Sequence, residues 1–169
     1  MLEILVWAAG VYLVGMFAVL RLAVPFMGFW MYRIPDQIPD DYRRLINEWE
    51  MESAGAEEFL KKSYDFSVTY WKPEKFQTVS QFARIFRRDL QGIWDARGYL
   101  HCNTMNYVLA CLLANSKFFT QDDIRIRHTV LNWVQHQYLQ IRVNGKWMDV
   151  DPAGSYVRGL PMGQRAGLF

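Results

Sequence analysis

The sequence predicts an α+β domain, helices packed on an antiparallel sheet, behind an N-terminal apolar helix. Three features lead there: near-continuous hydrophobicity from Leu2 to Leu20, helical spacing of apolar residues through the middle, and an Asn144-Gly145 pair between alternating runs near the end. At 169 residues the chain has room for one membrane or surface helix and one domain of ordinary size. Seven Trp, nine Tyr and eleven Phe supply enough apolar surface for a core outside that helix.

Nineteen basic and 17 acidic residues leave a net charge of +2, too balanced for counterion-driven binding, so nucleic acid is not an expected partner. Pairs such as Arg43-Arg44, Lys61-Lys62 and Arg87-Arg88 read as solvated helix faces. Cys102 and Cys111 lie nine positions apart on one predicted helix. At about 1.5 Å of rise per residue they are too distant for a disulfide, which needs Cα atoms roughly 4.4–6.8 Å apart. No Cys/His cluster has zinc spacing, and neither a metal nor a cofactor is expected.

Between Leu2 and Leu20 the single charge is Glu3, and apolar character resumes after Arg21 as far as Met31. About 20 apolar residues cross a bilayer core, so residues 1–33 are expected to form a transmembrane anchor, with residues 2–31 in contact with lipid. Arg21 can snorkel to the headgroups, and Pro25, Phe29, Trp30, Tyr32 and Arg33 suit an interfacial exit. A signal peptide fits poorly, for want of a basic leader region and a cleavage site. Arg21, Arg33, Arg43 and Arg44 follow the run while Glu3 precedes it, which places the C-terminal domain on the cytoplasmic side of a single-pass protein.

Pro35 and Pro39 mark residues 34–39 as a linker, with the domain at 40–169. A helix is expected over 40–53, carrying Tyr42, Leu45, Ile46 and Trp49 on one face, and a shorter one over 56–64. Residues 66–71 alternate and read as an edge strand or extended connector, whereas 78–94 reads as one helix with Val79, Phe82, Ile85, Phe86 and Leu90 inward. After a break at 95–98, Met105, Val108, Leu109, Leu112 and Leu113 recur at helical spacing, with Asn103 and Thr104 as capping residues. Cys102 thus falls at a helix start, where dipole and free N–H groups favour a thiolate. Cys111, mid-helix, reads as an inert packing residue. The glycine-rich tail after Pro152 reads as irregular, either packed over the site or disordered.

Asn-Gly calls for a two-residue type I′ turn. Taking Asn144-Gly145 as that turn sets Val143 opposite Lys146 and Tyr138 opposite Asp151. Period-two alternation then puts His136, Tyr138, Gln140 and Arg142 on one face with Trp147, Asp149 and Asp151. His136 becomes a diagonal neighbour of Asp151 at about 7–8 Å between Cα atoms, close enough for their side chains to bond. Leu139, Ile141, Val143, Met148 and Val150 form the core-facing side. Such a carboxylate would orient the imidazole, whose other nitrogen could take the proton of Cys102 and later return it to a leaving amine. The backbone N–H of Cys102 is the first oxyanion donor, and Gln91, Trp94 and Tyr99 are candidates for the second. His101 could bond near the site but reads as an exposed loop residue; His128 reads as a polar strand position within 124–133, a strand beside the hairpin.

A Cys opening a helix, His136-Gln-Tyr138, and Gly145-Lys-Trp147-Met-Asp-Val-Asp151-Pro152, in that order, resemble the transglutaminase-like superfamily of papain-like cysteine enzymes. The resemblance covers roughly residues 98–152 and selects Asp151, which precedes Pro, over Asp149. It implies a papain-like fold, Cys102, His136 and Asp151 as a catalytic triad, and a protein or peptide substrate whose amide bond is hydrolysed or transferred through a Cys thioester. Asn103-Thr104-Met105-Asn106 departs from the acidic or small residue and aromatic-Ala pair often found there. The alternative reading is a membrane-tethered binding or scaffold domain that keeps the fold without turnover.

Overall fold

The computed structural model describes residues 2–18, 33–74, 77, 80–131 and 134–167. Within them the chain is an α+β domain: six α-helices and a three-stranded antiparallel sheet. Helix α1 runs Leu2–Ala18, α2 Asp40–Glu52, α3 Ala56–Tyr70, α4 Leu90–Asp95, α5 Cys102–Ala114 and α6 Pro152–Arg158. Strands β1 (Trp71–Lys72) and β2 (Gly98–Tyr99) form a short parallel pair, while β3 (Ile124–Leu131), β4 (Val134–Val143) and β5 (Lys146–Val150) lie in the order β3-β4-β5.

Helix α5 is the centre of the core. Every residue from Cys102 to Leu113 is buried, because α3 and α6 pack on it and β4 covers another side. The buried strand face consists of Leu139, Ile141, Val143 and Val150, with Met148 packed against it. A second layer of aromatic rings fills the space between the helices. Trp94 lies nearly parallel to Phe66 and Tyr70 and meets Tyr42 edge-on at 5.0 Å, and Arg97 covers the Tyr70 and Trp94 rings.

The β4–β5 hairpin has the register the turn chemistry dictates. Val143 pairs with Lys146 and Leu139 with Val150, and Asn144 and Gly145 take positive φ angles of 51° and 78°. Strand β3 pairs along the other side of β4, from Ile124 opposite Ile141 to Leu131 opposite Val134.

The anchor expected over residues 1–33 is not shown, and several other expectations need correction. Among the described residues no helix is long and apolar enough to cross a membrane. Helix α1 is described over 17 residues, about 25 Å at 1.5 Å per residue, against a hydrocarbon core of about 30 Å. Residues 19–32, with Arg21, Pro25, Phe29, Trp30 and Tyr32, lie outside the described residues, as do Thr78, Val79 and Trp133.

The alternating run 66–70 is helical, not extended: α3 continues through it and buries Phe59, Leu60, Ser63, Tyr64, Phe66 and Ser67 along its length. Burial at helical spacing outweighs the local β-like pattern, and Ser63 and Ser67 hide their hydroxyls by donating to the carbonyls of Phe59 and Ser63. The single helix expected over 78–94 is broken into a 3-10 turn, Phe82–Phe86, and α4. Asp89 causes the break, since its carboxylate accepts from Gly92 N–H at 2.9 Å and starts a new helix.

The segment 34–39, expected as a linker, makes contacts with the domain. Ile34 is buried in the core and the Pro35 carbonyl accepts from Asn115. The tail is partly regular: Asp151 caps α6, Pro152 occupies its first turn, and Gly159 ends it in the left-handed conformation with φ 66°.

The hairpin can be tested at Gly145, whose missing side chain would meet no atom within 4 Å, so substitution acts through the backbone alone. Gly145→Val is expected to lower the unfolding free energy by about 1–2 kcal/mol, read from urea denaturation; an unmoved midpoint would count against the turn.

Candidate active site

The geometry starts from α5. His101 is its N-cap residue with extended backbone, and Cys102 begins the first turn. The chain enters this helix with no side-chain cap, contrary to the role expected of Asn103 and Thr104. Asn103 instead faces the His101 ring, its Oδ1 lying 3.0 Å from Nδ1 while accepting from the Thr104 hydroxyl at 3.2 Å.

Across the site, β4 carries His136 and the end of β5 leads into Asp151. Both are buried, and His136 Nε2 lies 2.8 Å from each Asp151 carboxylate oxygen. The carboxylate can only accept, so Nε2 carries the proton and Nδ1 is left for the cysteine.

Asp151 is held on two further sides. It accepts from Gly154 N–H at 2.7 Å as the cap of α6 and from Ala166 N–H at 2.9 Å in the tail. Gly154 must be glycine here, since a Cβ would fall 2.3 Å from the Asp151 carboxylate. The tail is fixed in turn by the Gly163–Asp149 bridge and by Arg165, which donates to the Tyr138 hydroxyl and pairs with Asp149.

The two thiols differ sharply in environment. Burial raises the Cys102 thiol, but the charges and hydrogen bonds of His101 and then His136 outweigh it and hold the group well below the ordinary thiol range. For His136 burial acts to lower the value, yet the bond to Asp151 and the contact with Cys102 push it up to about 10. Both shifts favour a thiolate beside an imidazolium. Cys111, buried mid-helix, is pushed up to about 12 by desolvation. Both cysteines are free.

Of the residues singled out by sequence, Cys102, His136 and Asp151 are brought together. The three oxyanion candidates are described by contacts other than with the sulfur. Gln91 is exposed and donates to Asp95 at 3.0 Å, Trp94 is stacked in the aromatic layer, and Tyr99 is buried in β2. His128 is half-buried on β3 opposite Gln137, at 3.5 Å from the Gln137 amide.

Sequence reasoning missed three contributors. His101, expected as an exposed loop residue, is half-buried with Nδ1 at 3.5 Å from Cys102 Sγ. Asn106, one turn after Cys102, donates to the Gln137 carbonyl at 2.9 Å and so clamps α5 to β4 beside His136. A polar side chain within the otherwise largely apolar stretch 105–113 was its signal. The Ala166 amide is a backbone group and had none.

The described residues contain no group of His, Cys, Asp and Glu arranged to hold a metal ion. An open cleft of about 760 Å³ lies beside Asp149 and Trp147, lined also by Glu57, Gln140 and Lys146. Comparison with known proteins gives nothing to set beside this geometry. No family model matches the chain, and neither the curated proteins nor the solved structures contain a match.

Asp151→Ala would leave two buried backbone donors and the His136 ring without their acceptor. The expected loss is about 3 kcal/mol or more of unfolding free energy by chemical denaturation, at roughly 1–3 kcal/mol for each of the three orphaned groups. Asp151→Asn, which keeps one acceptor oxygen, should lose less.

Proposed function

We propose that the chain is a membrane-associated cysteine enzyme of transglutaminase-like type, acting on a peptide or isopeptide bond through a Cys102 thioester. The observation that carries this reading is the buried Cys102, His136 and Asp151 group at a helix N-terminus, with a thiol held low and an imidazole held high. A packing cysteine does not need that environment, and Cys111 has the opposite one.

The steps follow from the placement of the protons. The Cys102 thiolate attacks the amide carbonyl, and the electron pair moves to the oxygen, which accepts from the Cys102 backbone N–H. His136 Nδ1–H then protonates the departing amine, leaving a thioester and a neutral ring. Asp151 keeps the ring oriented and stabilises its charged form. Water, or an amine, gives its proton to His136 and attacks the thioester, which releases the product and restores the thiolate beside the imidazolium. Hydrolysis and transfer differ only in which nucleophile arrives.

Membrane association is proposed on the character of α1. Ile4, Val6, Trp7, Val11 and Val14 are between 64% and 75% exposed, on several sides of the helix. Exposure of that kind is stable only when something apolar covers it, and apolar character continues in sequence to Met31. Lipid is the cover that suits a helix apolar all round. Arg33, Arg43 and Arg44 after the run favour a cytoplasmic domain.

Three outcomes test this reading. Iodoacetamide should label Cys102 well below the usual thiol pH range and leave Cys111 unlabelled in the folded protein, with His136→Ala slowing Cys102 by about 10²-fold or more at neutral pH. Equal labelling of the variant would sink the activated thiol. With a cleavable peptide, kcat/KM should rise through an acid limb below pH 7, hold a plateau, and fall near pH 10 as His136 loses the proton it must donate. For the anchor, removal of residues 1–33 should move the domain from the carbonate-resistant membrane fraction to the supernatant.

A further inference from the structure

The imidazole beside the sulfur in sequence is as close to it as a catalytic partner would be. His101 Nδ1 lies 3.5 Å from Cys102 Sγ and 3.0 Å from Asn103 Oδ1. An amide oxygen only accepts, so the contact with Asn103 requires a proton on His101 Nδ1. That same N–H reaches the sulfur. Asn103 Oδ1 is itself held by the Thr104 hydroxyl, which fixes the acceptor that turns the ring. The two imidazoles therefore meet the sulfur differently: His136 offers a nitrogen whose proton can come and go, because Asp151 has taken the other, whereas His101 offers a fixed donor.

We propose that His101 is a second working imidazole of the site, a positioning residue that donates Nδ1–H to Cys102 Sγ and holds the sulfur as a thiolate while His136 moves the proton. This rests on the activated Cys102–His136–Asp151 centre proposed above and adds a residue to it.

The groups facing one another are few. His101 from the turn before α5 and His136 from β4 act on the sulfur; Cys102 and His136 act on His101; and Asp151, at the start of α6, stands behind His136. Burial of His101 opposes its charged form, while the thiolate and then Asn103 favour it, and the balance lies on the side of the imidazolium. His101 and His136 repel one another when both are charged, and the thiolate between them offsets this. Once the sulfur is acylated it is no longer an anion and His101 loses its partner. His101 thus stabilises the free enzyme's nucleophile and not the leaving group, so its loss should move the acid limb and spare the base limb.

The test is the pH dependence of Cys102 carbamidomethylation by iodoacetamide, on the full chain in detergent, for wild type, His101→Ala, His101→Gln and His136→Ala. Circular dichroism and a silent Cys111 identify the variants that are folded. In His101→Ala the acid limb is expected to rise by about 1–2 pH units. His101→Gln should rise as well, since Gln fills the space but cannot carry the charge. In both, peptide cleavage should keep its base limb at about pH 10 or above, because the His136–Asp151 bond stays and only the repulsion from His101 is lost. A low limb that depends on His136 but is unmoved in both folded His101 variants overturns this inference alone. A wild-type limb at the ordinary thiol value, indifferent to His136, overturns the proposed enzyme and this inference with it.

Discussion

The Asp151 carboxylate joins three separate parts of the chain at one point. Its two oxygens take the His136 ring from β4, the Gly154 amide that begins α6, and the Ala166 amide of the tail. All of this occurs at a fully buried position, where a carboxylate survives only if its lone pairs are occupied. The same bonds that make burial tolerable also fix its direction. A carboxylate free to rotate could not hold an imidazole in one orientation, and here the backbone amides prevent rotation before the histidine is considered.

The second constraint is the burial of α5 on all sides. A helix surrounded by α3, α6 and β4 cannot tilt without opening the core, so the sulfur at its first turn is placed by packing and not by a loop. The Asn106 bond to the Gln137 carbonyl locks the remaining freedom, the sliding of helix along strand. Precision at the site thus comes from two rigid elements meeting at their ends, with few local devices.

What could be read from the sequence was what depends on near neighbours. The Asn144-Gly145 turn sets register by local sterics, and alternation carries that register to His136 and Asp151 without knowledge of the rest of the fold. The start of α5 was legible for a similar reason, as apolar spacing is a local signal. The extent of α3 was not. Residues 66–70 have the alternation of a strand, and contacts distant in sequence go with their helical form: Phe66 packs on Trp49 and Trp94, and Tyr70 on Trp94. Nor was the break at Asp89, where a charged residue inside an apparently periodic stretch captures the Gly92 amide. His101 was misjudged because residue type and loop position say nothing about which way a ring turns; Asn103, two residues on, decides it. The tail was opaque because its contacts use backbone amides, which every residue has.

Strand β5 has its outer side partly met by the tail, through Gly163. The opposite boundary of the sheet is β3, which among the described residues pairs with β4 alone. Exposed arginines occur there at alternate positions, Arg125 resting on the Trp147 ring at 3.9 Å and Arg127 bonded to Gln140. Another β3 laid against this one would bring guanidinium groups of like sign together, a cost that sheet proteins use to stop their borders from adding strands. At high local concentration that repulsion matters more than in dilute solution: it lets neighbouring copies come close while keeping their sheets separate.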